Sequence, residues 1–168
     1  MIKFRLFGFD SGQKTPPAAA PTPAVQEAPS PVETIQESPD GKRVLVVDDD
    51  LVFLLATKAK LQSAGCRVRT AREASEAISA LGDQPADAIL MDITFQPDVC
   101  NGGMGSWDGF QIMSWLRGSP AARGARFIMV SGSNSESDRQ RAQQLGAVAY
   151  FQKPVDHAQL LAAVNGTN

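Results

Sequence analysis

The sequence predicts an α/β fold, a doubly wound five-stranded parallel sheet with five helices, from two observations. Short apolar runs alternate with helix-period segments from Lys42 onward, and polar residues follow the strands at one end. Strands that are apolar throughout belong to parallel sheets buried on both faces by crossover helices. Right-handed crossovers in a domain of this size favour strand order 2-1-3-4-5, the flavodoxin-like arrangement.

Each element follows from local pattern. Val44 to Val47 is a buried strand ending in Asp48, Asp49 and Asp50. Leu51, Leu54, Leu55 and Leu61 recur at helical spacing, and Gly65 stops that helix. Arg67 to Thr70 reads as the second strand. Ala74, Ala77, Ile78 and Leu81 lie on a second helix, predicted to end at Gly82. Ala88 to Met91 is the third strand, followed by a long loop, 95–107. Phe110, Ile112, Met113 and Leu116 define the third helix, and Phe127 to Val130 the fourth strand. Residues 135–145 form a mostly polar helix, Ala147 to Phe151 a fifth strand, and Leu160, Leu161 and Val164 mark the last helix.

The first forty residues have a different composition. Residues 1–14 form a short apolar and basic segment, with Ile2, Phe4, Leu6, Phe7 and Phe9 beside Lys3, Arg5 and Lys14. Residues 15–40 are rich in proline and alanine, acidic and without an aromatic side chain, so they are expected to be a disordered linker. Residues 41–168 are the expected globular domain. The chain has 168 residues and a net charge of −2, and it lacks the basic footprint of a nucleic-acid binder. No apolar run approaches the roughly 20 residues of a membrane span, and Lys3 and Arg5 interrupt any signal-peptide pattern. Two cysteines, Cys66 and Cys100, are too few for a disulfide scaffold or a zinc site, which suits a reducing cytoplasm.

The polar residues at the strand ends carry the chemistry. In this fold ligands bind beyond the carboxyl ends of the strands, where the strand order reverses. Asp48, Asp49 and Asp50 follow strand 1, Asp92 follows strand 3, Ser131 follows strand 4 and Lys153 follows strand 5. Neighbouring strands lie about 4.8 Å apart, so carboxylates on strands 1 and 3 repel. At ~4 Å and an effective dielectric of ~20, each like-charged pair costs about 4 kcal/mol before relaxation. A hard divalent cation relieves that repulsion, and Mg²⁺ is commonly held by carboxylates together with phosphate and water. Lys153 has the reach to pair with phosphate oxygens, and Ser131 has a hydroxyl to donate.

The segments VLVVDDD, ILMD, FIMVSGS and YFQKP together resemble the receiver domain of two-component response regulators over about residues 42–164. The resemblance implies that Asp92 is the phosphoacceptor, taking a phosphoryl group from a sensor histidine kinase or phosphotransfer protein. It implies Mg²⁺ ligation by Asp49, by Asp48 through water, by Asp92 and by the backbone carbonyl of Thr94. Ser131 is then the switch hydroxyl, Lys153 the phosphate-pairing lysine and Tyr150 the switch aromatic. Read from the sequence alone, Tyr150 serves equally as an amphipathic residue at a sheet edge. The family also implies a cis Lys153-Pro154 bond.

The chain departs from the family pattern between strand 3 and helix 3. It runs Asp92-Ile93-Thr94-Phe95-Gln96-Pro97 and reaches Asp108-Gly109 only after an added stretch. Ser131 stands where threonine is commoner, and Gly132 where alanine is. Phe95, Val99, Met104 and Trp107 give the glycine-rich loop packing groups of its own, so it is expected to cover the site in part and restrict access to Asp92. The chain ends soon after the fifth helix, so output is expected through a downstream target protein, through residues 1–14 or by passing the phosphoryl group onward, without direct contact to nucleic acid.

Two other readings compete. Asp48-x-Asp50 after an apolar strand also fits the nucleophile motif of haloacid-dehalogenase-type Mg²⁺-dependent phosphatases. That motif needs a further acidic pair beyond the lysine, and only Asp156 lies within residues 154–168. A degenerate receiver that binds a partner without phosphorylation is the other, and the intact set Asp48, Asp49, Asp92, Ser131 and Lys153 argues against it.

Overall fold

The computed structural model describes residues 40–94 and 108–167. The segments 1–14 and 15–39 and the loop 95–107, for which the sequence suggests a tail, a linker and a cover, lie outside the described residues. The elements run β1 Arg43–Val47, α1 Leu51–Ser63, β2 Arg67–Ala71, α2 Ala74–Asp83, β3 Ala88–Asp92, α3 Gly109–Arg117, β4 Arg126–Ser131, α4 Glu136–Gln144, β5 Ala149–Gln152 and α5 His157–Asn165. A short 3₁₀ turn, Pro120–Ala122, precedes β4 and has no counterpart in the sequence reading.

The five strands are parallel in the order β2-β1-β3-β4-β5, as expected. Side chains alternate between the two faces of a strand, and this sheet uses both. Leu45 and Val47, Ile89 and Met91, and Phe127 and Met129 pack with Leu81, Phe110, Ile112 and Leu116 on one face. Val44 and Val46, Ala88 and Leu90, and Ile128 and Val130 pack with Leu54, Leu61, Leu160 and Val164 on the other. Helices α1 and α5 therefore share one face with each other, and α2 and α3 share the opposite one.

Helix α1 corrects the simple apolar spacing. Leu54, Thr57 and Leu61 are its buried residues, whereas Leu51 and Leu55 are exposed. At 3.6 residues per turn, Leu51 and Leu55 lie about 90° and about 130° round the helix from the centre of the buried stripe. Val52 lies opposite that stripe and is 76% exposed. Ile78 of α2 is likewise exposed. Gly82 falls inside α2, which continues to Asp83. Gly65 does close α1: its φ of 83° lets its N–H reach Gln62 O and that of Cys66 reach Leu61 O.

Candidate functional site

Asp48, Asp92 and Ser131 each lie at the end of a run of buried strand residues, and Lys153 directly follows β5, so the sheet sets their positions. Asp48 follows Val47 directly and is fully buried. Asp92 is the last residue of β3 and is also buried. It pairs in register with Val130, which puts Ser131 one step further out on β4. One oxygen from each of Asp48, Asp49 and Asp92 lies within 4.8 Å of the others. Lys153 Nζ stands 2.6 Å from Asp48 Oδ2 and 3.5 Å from Asp92 Oδ2. The Lys153-Pro154 bond is cis, as expected.

The third aspartate of the triplet has a different task. Asp50 caps α1, its side chain accepting from the backbone N–H groups of Val52 and Phe53. It is exposed, and among the described residues the close carboxylate group consists of Asp48, Asp49 and Asp92. The phosphatase pattern, which needs Asp50 in the pocket, is not supported by this placement.

Electrostatics make Asp48 the tense member. Burial pushes its carboxyl above the usual carboxylate range, and the neighbouring Asp92 adds to the rise. Lys153 and the backbone N–H of Asp50, 3.0 Å from Oδ1, pull the other way. Asp48 Oδ2 has no partner among the described residues apart from the Lys153 ammonium. A buried carboxylate oxygen so placed, beside two more carboxylates, is a donor set for a hard divalent cation. The residues present fit Mg²⁺.

The remaining residues form a second group on the α4 side. The Ser131 hydroxyl lies 3.2 Å from that of Ser133 and accepts from its N–H at 3.1 Å. The Tyr150 hydroxyl donates to Ser133 O at 3.1 Å, and the Arg139 guanidinium stacks 4.9 Å above its ring. Ser133 thus joins Ser131 to Tyr150, a link invisible in the sequence pattern because it runs through a backbone carbonyl. Thr94 is exposed, and its hydroxyl is 3.3 Å from Asp92 Oδ2, a long contact. Gly109 opens α3 against the Asp92 backbone: a Cβ there would meet Asp92 O at 2.1 Å and Ile93 Cα at 2.9 Å. Close approach, rather than turn conformation, explains the glycine of the Asp108-Gly109 pair.

Fold and pocket together define a doubly wound α/β domain with an acidic, lysine-bearing site at its topological switch point. The chain belongs to the response regulator receiver domain family, which matches residues 44–165. It is 25% identical to protein PilG of Pseudomonas aeruginosa over 130 residues, covering 77% of this chain and 90% of PilG. It is 30% identical over 127 residues to the transcriptional regulatory protein GltR of the same organism, covering 76% of this chain but 49% of GltR. Relatives such as GltR are thus about twice the length that this chain spans. A CheY-like receiver domain protein from Methanospirillum hungatei superimposes with a TM-score of 0.63 at 28% identity, covering 76% of this chain and 93% of that one. A response regulator from Burkholderia pseudomallei, solved with a phosphorylated aspartic acid and a calcium ion, gives 0.62 at 27% identity, covering 73% of this chain and 66% of that one. Among the described residues, no helix is long and apolar enough to cross a membrane.

Proposed function

We propose that this chain is a phosphoacceptor in two-component signalling, with Asp92 as the residue that receives the phosphoryl group. A carboxylate oxygen of Asp92 attacks phosphorus on a phosphohistidine of a sensor kinase or phosphotransfer protein. An O–P bond forms and the P–N bond of the donor breaks, its electron pair returning to the imidazole nitrogen. Asp48, Asp49, Asp92 and the carbonyl of Thr94 would hold Mg²⁺, which neutralises charge on the phosphoryl oxygens. Lys153 supplies a second positive charge from the other side of the pocket, and Ser131 a hydroxyl donor.

The observation that carries this reading is the gathering of three carboxylates within 4.8 Å of one another, two of them in contact with Lys153, at the strand ends. The phosphorylated aspartate and divalent cation in the Burkholderia relative support it. Signal output follows from Ser131, Ser133 and Tyr150: drawing the Ser131 hydroxyl towards a phosphoryl group removes its partner at Ser133, whose carbonyl holds Tyr150. The surface around Tyr150 and α4 then changes for a downstream target protein.

The test is incubation with acetyl phosphate and Mg²⁺, read by intact-mass spectrometry. Wild type should gain one phosphoryl group, and Asp92→Asn, or wild type in chelator, should gain none. Equal labelling of Asp92→Asn would overturn the assignment.

A further inference from the structure

Lys153 has a third partner besides the two carboxylates. Its ammonium lies 4.4 Å from the centroid of the Phe53 ring. Phe53 sits in the first turn of α1, where its N–H is tied to the Asp50 cap. The ring is half-buried against the apolar cluster between α1, α5 and the sheet. With Thr57, Pro154, Val155 and Leu160 it lines a cavity of about 170 Å³. The alternation of side chains along β5 sends Ala149 and Phe151 to this same α1–α5 face, and Lys153 is the next residue in that series.

An ammonium over an aromatic face is attracted by the ring quadrupole. That attraction is minor while Lys153 rests on Asp48 Oδ2. It becomes decisive once Asp48 is committed to a cation, because like charge then repels the ammonium and its four-carbon stem is free to swing into solvent. An aliphatic side chain at residue 53 would fill the same gap between α1 and α5 but would offer the ammonium nothing.

We propose that Phe53 is a positioning residue whose ring holds the Lys153 ammonium over the pocket, so that the charge is in place for a phosphoryl group on Asp92. The inference rests on the reading of Asp92 as phosphoacceptor. It assigns Phe53 no contact with the reacting atoms.

The experiment compares wild type, Phe53→Leu and Phe53→Tyr by two measurements. In the first, without divalent cation, NMR records the Lys153 Hε protons, identified by their loss in Lys153→Met. Ring current should shift them upfield in wild type and Phe53→Tyr and leave them near the free-lysine position in Phe53→Leu. The second is the rate of labelling by acetyl phosphate with Mg²⁺. Phe53→Leu should be roughly 2- to 30-fold slower, the range a cation–π contact spans, and Phe53→Tyr should stay within about twofold of wild type. Unshifted Lys153 protons in wild type, an unchanged rate in Phe53→Leu, or equal slowing of both variants overturns the role of Phe53 while leaving Asp92 untouched. Absence of labelling in wild type overturns the phosphoacceptor reading, and this inference with it.

Discussion

At the amino end of the sheet, Arg43 opens β1 and Asp87 stands just before β3, and the two form a fork. Arg43 Nη2 lies 2.7 Å from Asp87 Oδ1, while Nε at 3.0 Å and the backbone N–H at 2.8 Å both reach Oδ2. This pairing holds the Asp87 carboxyl down at about 2. Arg126, at the start of β4, donates to Ala163 O, and Arg69 donates to Ala80 O and Gln84 O at the close of α2. At the carboxyl end the same sheet crowds Asp48, Asp49 and Asp92 together, with Lys153 against two of them. The amino-end contacts match Arg43 with Asp87 and give Arg69 and Arg126 carbonyl acceptors, and they serve stability. The carboxyl end leaves negative charge in excess and buried, which costs stability and leaves a place for ligands.

Substitutions at the two ends should therefore differ in sign as well as size. The largest effect is steric: Gly109→Ala puts a methyl group against the Asp92 backbone and should cost about 3 kcal/mol, read from urea unfolding. It should also displace Asp92 enough to lower acetyl-phosphate labelling. A smaller loss, about 2 kcal/mol, is expected for Asp87→Ala, which strands the Arg43 guanidinium and N–H. Because the folded carboxyl of Asp87 lies at about 2, below its ordinary 3.8, the pair stabilises fully above about pH 4 and loses that contribution as pH falls towards 2. Asp87→Ala should lack that part of the acid loss.

Asp48→Asn should act in the opposite direction, raising stability by about 1 kcal/mol in chelator at pH 7. The folded Asp48 carboxyl is raised, so the native state binds its proton more tightly than the unfolded chain does. Its contribution to stability falls as pH rises from 3.8 through the folded value, and Asp48→Asn should remove that slope. A loss of stability in Asp48→Asn would instead make the carboxyl end a satisfied ion pair like the other. Removing residues 1–40, for which the sequence suggests a tail and a linker, should change the unfolding free energy from urea titration least, by no more than about 0.5 kcal/mol.

The architecture was legible because apolar runs such as Ala88 to Met91 and Phe127 to Val130 are buried on both faces, a state that permits few alternatives. Asp48, Asp92, Ser131 and Lys153 were legible because each ends or directly follows a strand, where topology dictates the neighbours. Phe53 was not, since a phenylalanine in an apolar helix turn has no distinguishing pattern, and its meeting with Lys153 depends on how α1 packs beside the end of β5. Ser133 was hidden for a related reason: its carbonyl holds Tyr150, and any residue could supply that atom. The exposure of Leu51 and Leu55 was hidden because the buried stripe of α1 passes through Thr57, a residue hydropathy does not count as core.

The excess of negative charge at the carboxyl end is tested most directly by thermal unfolding with and without Mg²⁺. Binding to the folded state alone should raise the Tm of wild type by roughly 5–10 °C once the ion is ~100-fold above its dissociation constant. Asp87→Ala, altered at the amino end, should show the same rise from a lower starting point, and Asp49→Asn should show little or none. A wild-type Tm indifferent to Mg²⁺, or an undiminished rise in Asp49→Asn, would contradict the account.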